Sequence, residues 1–137
     1  DRLILARYDD DKGVWVPLVS TVDKTNRQVT ARTNHFSTFQ IMQVNPSASV
    51  QDAKVFPNPF RPPRGHTSVT FANLPADASI KIYTLTGSLV RELIASASGL
   101  SSWDAKNESG ESVASGVYFA LIEGTGGKKT LKVAIER

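Results

Sequence analysis

The chain has 137 residues, 40% of them hydrophobic, and this size and composition are typical of one ordinary globular domain or two small ones. Its net charge of +3 arises from 16 basic and 13 acidic residues that are scattered along the chain, so the sequence has no basic stripe of the kind that binds nucleic acid. The absence of cysteine excludes disulfides, thiolate metal sites and thiol nucleophiles. No apolar run reaches the roughly 18 residues of a membrane span.

The first 43 residues alternate with a period of two, which predicts strands at about 3–8, 13–20, 27–33 and 36–43. Asp, Asn and Gly residues between these segments favour turns. We therefore predict a first β unit over residues 1–44, folded as a meander or a hairpin pair. Four such strands bury little apolar surface. We expect them to be the closing strands of a larger β domain, completed by the second domain, by a preceding stretch or by a neighbouring subunit.

Residues 45–53 are small and polar and include a proline, so we predict a linker there. For residues 54–137 we predict six or seven short strands, bounded by Gly, Pro, Asn or Ser, at intervals of roughly 8–12 residues, which is the spacing of an immunoglobulin-like sandwich. The apolar spacing of residues 89–97 leaves a helix open as an alternative there. The predicted fold class is all-β: an antiparallel immunoglobulin-like β-sandwich preceded by a smaller, incomplete four-stranded β unit.

The second part opens with a motif of two aromatic residues and two prolines around an asparagine. Proline holds the residue before it in extended backbone, so both rings can fill the end of a sandwich while the asparagine turns the chain. The motif consists of Phe56, Pro57, Asn58, Pro59 and Phe60.

Four later residues also have predicted folding roles. Gly87 follows Thr86 in a two-residue hairpin that requires positive φ. Trp103 is the largest apolar side chain available to the core and needs a partner for its indole N–H if it is buried. Gly116 precedes a strand in which Tyr118 lies on one face and its two neighbours lie on the other.

The order and spacing of these motifs resemble the C-terminal immunoglobulin-like domain of proteins exported by the type IX secretion system. That family is itself similar to the immunoglobulin-like domain of flagellar hook-capping proteins. The resemblance covers residues 54–137 and also rests on Thr67–Phe71, Leu74-Pro75, Ile80–Tyr83, Leu89–Leu93, Asn107–Gly110 and Lys132 in the final strand.

This resemblance implies a sorting and anchoring module. In the family, the domain leads its passenger across the outer membrane and is then removed, attached to surface lipopolysaccharide by a sortase-like enzyme, or retained. The implied partners are the secretion machinery and a surface glycan, and the implied location is extracellular or on the cell surface. The flagellar relatives share the fold without the export, so the fold alone does not establish the function.

The segment around His35 offers a separate hypothesis of self-cleavage. His-Phe-Ser is similar to the self-cleavage motif of a β-rich domain found in netrin receptors and death-domain adaptors. In that mechanism His35 is the general base, Ser37 is the nucleophile and the Phe36–Ser37 peptide bond breaks. The alternative is an ordinary strand whose side chains alternate between two faces.

Three further segments each have a binding interpretation and a structural one. Asp9-Asp10-Asp11 and Asn107–Glu111 could hold calcium but are also typical surface turns, and Asn107 opens an Asn-x-Ser acceptor pattern for a glycan. The basic loop Arg61–His66 could contact a partner or an acidic glycan, or could be an exposed connection.

No combination of residues matches a known type of enzyme active site, so we predict no enzyme activity, no cofactor and no metal. The predicted function is the non-enzymatic C-terminal region of a secreted or cell-surface protein. Two alternatives remain: a subunit of an extracellular filament or surface layer assembled with neighbouring subunits by strand complementation, and a self-cleaving β domain.

Overall fold

A computed structural model describes residues 2–34 and 37–137. The chain divides into two compact units, the first ending at Asn45 and the second spanning Pro46–Arg137. Strands and two short 3-10 helices make up the regular structure of the described residues. All strand pairs are antiparallel, so the prediction of an all-β fold is confirmed.

The described part of the first unit contains five strands. A three-stranded sheet has the order β2-β1-β5, and β3 pairs with β4 as a separate hairpin. The strands are β1 (Leu3–Asp9), β2 (Val14–Pro17), β3 (Ser20–Asp23), β4 (Gln28–Ala31) and β5 (Phe39–Gln43).

The prediction of four strands in this unit was wrong because the segment 13–20 bends after Pro17. The N–H of Leu18 donates to the carbonyl of Leu5 at 2.9 Å. The Ser20 hydroxyl donates to the Leu18 carbonyl at 2.8 Å and accepts from the Leu5 N–H at 2.9 Å. A local side-chain hydrogen bond of this kind competes with the strand ladder and starts a second strand at Ser20.

The first unit has a small core. Among its described residues, the buried hydrophobic ones are Ile4 and Ala6, which point to the same face of β1. Six large hydrophobic side chains of the unit remain 37–57% exposed: Leu3, Val14, Trp15, Val19, Phe39 and Ile41. The unit therefore leaves much of its apolar surface in contact with solvent. Its completion by a neighbour stays a prediction.

The second unit contains seven strands in two sheets, of order β10-β7-β6 and β12-β11-β8-β9. This arrangement is consistent with an immunoglobulin-like sandwich. Residues 89–94 form a strand, so the helical alternative for that segment was wrong. The strands are β6 (Lys54–Phe56), β7 (Val69–Ala72), β8 (Ser79–Tyr83), β9 (Leu89–Ile94), β10 (Ser101–Trp103), β11 (Gly116–Gly124) and β12 (Gly127–Ile135), and the 3-10 helices are Val50–Asp52 and Pro62–Arg64.

The core of the second unit forms between the two sheets because buried residues alternate along the strands. Trp103 is completely buried, and its indole N–H donates to the carbonyl of Lys106 at 2.9 Å. The Trp103 ring meets the edge of the Tyr118 ring, with centroids 5.9 Å apart. The Tyr118 hydroxyl donates to the carbonyl of Ala114 at 2.7 Å, so both aromatic residues combine apolar burial with a satisfied polar group.

The segment predicted as a linker is packed on the second unit. Val50 is completely buried and Ala53 is 3% exposed, and both belong to the hydrophobic core. The Val50 N–H donates to the carbonyl of Thr125, and the Ser47 N–H donates to the carbonyl of Leu74. The two apolar residues within an otherwise polar segment explain why the compact unit begins at Pro46.

We expect Tyr118→Phe to lower the free energy of unfolding of the second unit by about 1 kcal/mol, because it removes one partly buried hydrogen bond to the Ala114 carbonyl. Tyr83→Phe is the matched control, since the Tyr83 hydroxyl has no hydrogen bond to any residue that the structure describes. Urea unfolding of both variants measures the difference. Equal stability of the two variants would contradict this role of the Tyr118 hydroxyl.

Candidate functional site

The candidate site is the last strand, β12, together with the chain segments that cover it. β12 lies at one edge of the sheet β12-β11-β8-β9 and pairs with β11 along its length. An edge strand carries unpaired N–H and C=O groups on its outer side, and these groups invite unwanted strand pairing unless they are covered. The motif around Asn58 provides this cover.

Asn58 bonds to the outer edge of β12 with both ends of its side-chain amide. Its Nδ2 donates to the carbonyl of Lys132 at 2.8 Å, and its Oδ1 accepts from the Ala134 N–H at 3.0 Å. The side chain thus takes the place of a neighbouring strand over this stretch. The peptide bonds that precede Pro57 and Pro59 are both cis.

Phe60 continues the cover with its own backbone. Its N–H donates to the carbonyl of Ala134, and its carbonyl accepts from the N–H of Glu136, both at 2.8 Å, in a parallel bridge opposite Ile135. The Phe60 side chain is buried, whereas that of Phe56 is only half-buried. The motif therefore starts in one sheet, where β6 pairs with β7, and ends on the edge of the other sheet.

The first 3-10 helix covers the opposite end of β12. The Gln51 side chain donates to the carbonyl of Lys128 at 3.2 Å, and the Lys129 ammonium donates to the carbonyl of Gln51 at 2.7 Å. Lys129 also reaches the carbonyl of Ala53 at 3.4 Å. The outer edge of β12 is thus satisfied near both ends by residues that precede β7 in the chain.

The last two residues of the chain are held by side-chain contacts. The Arg61 guanidinium pairs with the Glu136 carboxylate. The Arg137 guanidinium donates to the carbonyls of Val113 at 2.6 Å and Ala105 at 3.2 Å. The sequence did not indicate these contacts, because a charge pattern along the chain does not show which residues more than 20 positions apart will meet.

The predicted glycine positions both adopt backbone conformations that favour glycine. Gly87 has φ of 89°, but it lies in a loop over residues 84–88 rather than in a two-residue hairpin. In this loop the N–H of Thr84 donates to the carbonyl of Ser88. Gly116 has φ of 156° and opens β11 opposite Ile135.

Of the residues in the self-cleavage hypothesis, the structure describes Ser37. His35 and Phe36 lie outside the described residues. The Ser37 hydroxyl donates to the carbonyl of Tyr8 at 2.7 Å, so its proton forms a structural hydrogen bond. A base would have to take the proton out of this bond before Ser37 could attack. Self-cleavage stays a prediction.

The two oxygen-rich segments use their side chains to close their own turns. Asp9 Oδ1 accepts from the N–H groups of Asp11 and Lys12, and Asn107 Oδ1 accepts from the N–H groups of Ser109 and Glu111. In the part of the chain that the structure describes, no group of three or more His, Asp or Glu residues is placed to hold a metal ion. Within the same residues, no helix has the length and apolarity needed to cross a membrane.

Removal of the Asn58 side chain tests its role on β12. We expect Asn58→Ala to lower the free energy of unfolding by about 1–3 kcal/mol, because two backbone groups of β12 lose their partners. The Ala134 amide should also exchange with solvent faster. Gln51→Ala is the control and should have a smaller effect, since it removes one side-chain hydrogen bond to the same strand and not two. Equal losses of stability would contradict the special role of Asn58.

The pair Arg61–Glu136 predicts a pH dependence of stability. The hydrogen bond from Arg61, followed by the charges of Arg61 and Arg64, lowers the pKa of the Glu136 carboxyl below its ordinary value. The pKa of Glu136 is therefore lower in the folded state than in the unfolded state. The pair stabilises the fold fully above the unfolded-state pKa of Glu136, and this stabilisation is lost as the pH falls through the folded-state pKa. The melting temperature of the wild type should therefore exceed that of Glu136→Gln at neutral pH, with the difference vanishing in acid.

The same comparison in an Arg61→Gln background is the control for this pH effect. There Glu136→Gln should cause a much smaller pH-dependent difference, because the hydrogen bond from Arg61 is missing and only the charge of Arg64 still lowers the pKa of Glu136. Hydrogen bonds from Asn26 also lower the pKa of Asp23. The loss of stability of the wild type in acid therefore includes the protonation of Asp23, and only the difference from Glu136→Gln isolates Glu136. A difference between wild type and Glu136→Gln that is constant with pH would contradict the assignment.

Comparisons with known proteins found a matching family model and similar solved structures. The family model described as the secretion system C-terminal sorting domain matches residues 54–136. Among solved structures, the chain is similar to PorZ, a bacterial surface component of the type IX secretion system of Porphyromonas gingivalis. The identity is 30% and the TM-score 0.59, and the match covers 72% of this chain and 14% of PorZ.

The chain is also similar to dimeric latent PorU from Porphyromonas gingivalis, at 26% identity and a TM-score of 0.43, over 61% of this chain and 9% of PorU. It thus corresponds to a small part of either protein. A search of curated proteins found no match. The resemblance drawn from the motifs after residue 54 is confirmed by the family model, which covers more than half of the chain: this chain belongs to the family of type IX secretion system C-terminal sorting domains.

Proposed function

We propose that the second unit directs a protein joined to it through the type IX secretion system and then keeps that protein at the cell surface, and that the chain is not an enzyme. The observation that carries this proposal is the family match over residues 54–136, which coincides with a seven-stranded unit that has its own core. The family supplies the sorting role. The likeness to a surface component, PorZ, supports the surface location.

The contacts of the polar residues around β12 support a role without chemistry. The Asn58 amide is used on the backbone of β12, and the Arg137 guanidinium is used on backbone carbonyls. Glu136 is paired with Arg61. Groups bound in this way stabilise a shape, whereas a catalyst needs a nucleophile, acid or base that can reach a substrate. A sorting module needs a stable shape that a partner can recognise.

The second candidate function is a subunit of an extracellular assembly, and the exposed apolar residues of the first unit favour it. Ile41 is 57% exposed and Phe39 is 37% exposed on β5, which is an edge strand of its sheet. A strand from a neighbour would pair with such an edge and cover these side chains. This candidate concerns the first unit and is compatible with a sorting role for the second.

Export of a reporter tests the proposal directly. The full chain is fused to the C-terminus of a monomeric reporter that carries an inner-membrane export signal, in a bacterium that has the type IX system. We expect the reporter to become accessible to protease added outside intact cells. The same fusion in a strain without the type IX system is the control, and there the reporter should remain in the periplasm.

The location of the exported reporter separates the two parts of the proposal. Reporter that sediments with washed cells and is accessible to external protease supports both sorting and attachment. Reporter found only in the culture medium would support sorting and contradict attachment. Periplasmic reporter in both strains would overturn the sorting function.

A further inference from the structure

The four-stranded sheet of the second unit has an outer face that points away from the core. On β11, Tyr118, Ala120 and Ile122 are buried, and the residues between them point outward. The strand register places Phe119 opposite both Lys132 on β12 and Tyr83 on β8, and Tyr83 opposite Leu89 on β9. On the outer face these four side chains form one continuous row across all four strands.

The two halves of this face differ in chemistry. In one half, Glu123 pairs with Lys128 at 3.8 Å, and Lys81 lies opposite Glu92, so charges are balanced. The other half is apolar, and we call it the apolar half. It consists of the half-buried rings of Tyr83 and Phe119 and the exposed side chains of Leu89 (52%) and Val117 (38%), together with the exposed Leu85 (67%) of the adjoining loop over residues 84–88.

Lys132 is the one charged residue of the row that crosses the apolar half. Its side chain is exposed, and its ammonium forms no ion pair or hydrogen bond with any residue that the structure describes. None of residues 83–89, 117–119 and 130–134 is acidic. The carboxylate that follows on β12, Glu136, is neutralised by Arg61. The apolar half therefore carries a positive charge that nothing on the same surface compensates.

We infer that the apolar half and Lys132 form the surface by which the sorting module docks on a protein of the secretion machinery. The matching surface of that protein is apolar and presents a carboxylate opposite Lys132. This inference rests on the proposed sorting function. Exposed, contiguous apolar side chains are typical of protein interaction sites, in which aromatic and aliphatic residues occupy the centre and charges lie at the rim.

The charge pattern distinguishes this partner from other occupants. A second copy bound through the same surface about a twofold axis would bring two uncompensated Lys132 residues into one apolar interface, which like-charge repulsion disfavours. An anionic glycan would be bound by several cations and hydrogen-bond donors, whereas this surface offers one ammonium among leucine, valine and aromatic side chains. An apolar protein surface with one acidic residue would cover the apolar side chains and also neutralise the Lys132 ammonium.

The test replaces two exposed leucines in the full-chain reporter fusion. Leu85→Ser with Leu89→Ser should reduce external reporter by about tenfold or more, because both substitutions replace apolar area that the partner would bury by a polar side chain, and the reporter should accumulate in the periplasm. Ile94→Ser is the matched control, because Ile94 is 59% exposed at the opposite end of the same face, in the row of Ser79. Export of the control should equal that of the wild type. Thermal unfolding of each purified chain checks that folding is unchanged.

Lys132 supplies a second, independent readout. Carbodiimide joins an amine to a carboxylate that touches it, so treatment of cells during export should crosslink Lys132 to the partner, and mass spectrometry of the crosslinked peptide identifies the carboxylate. Lys132→Arg should retain export but lose the crosslink, because it keeps the charge without the amine. Lys132→Glu should reduce export by placing a carboxylate against a carboxylate.

The outcomes separate this inference from the proposed function. Failure of the wild-type fusion to leave the periplasm would overturn the sorting function and the docking surface together. Normal export of wild type and of the double leucine variant would overturn the docking surface alone. Normal export with loss of surface retention would assign the surface to a glycan. A wild-type dimer that becomes a monomer in the double variant would assign it to a second copy, and either result overturns the inference.

Discussion

The backbone groups on the outer edge of β12 need partners, and the segment from Phe56 to Phe60 supplies them as it passes from one sheet to the other. Asn58 does so with its side-chain amide and Phe60 with its backbone. Because Phe60 also inserts its ring into the core, the same segment joins the two sheets and closes an edge. A strand that is clamped in this way is protected from pairing with other chains.

Much of the fold could be predicted from the sequence because alternation with a period of two is a local signal. The alternation after residue 67 predicts strands at about 67–72, 79–85, 88–94, 99–104, 114–123 and 128–136. The observed strands lie close to these positions, since each is bounded by residues that favour turns. Local signals failed where one contact decided the outcome. A single serine hydroxyl at position 20 divides a predicted strand, and Val50 anchors a segment whose composition is otherwise that of a linker.

The candidate site was only partly predictable for a related reason. Asn58 and Trp103 are distinctive residue types whose chemistry demands a partner, so the sequence could single them out. It could not name the partners. Asn58 was interpreted as a turn residue, and its bonds to β12 connect positions more than 70 residues apart. The outer face of the four-stranded sheet could be defined only once the strand register was known, because a shift of one residue exchanges the two faces.

The second unit assigns stability and recognition to different surfaces. Asn58, Phe60, Arg61 and Gln51 act on the edge of β12, and the aromatic pair of Trp103 and Tyr118 acts in the core. The apolar half of the outer face is separate from these contacts of Asn58, Trp103 and their neighbours, and its Leu85 and Leu89 side chains are more than half exposed. Exposed leucines of this kind lower the solubility of a protein. A binding partner that covers them would explain why they are exposed. Closing the edge of β12 with residues from the start of the unit leaves the outer face open to that partner.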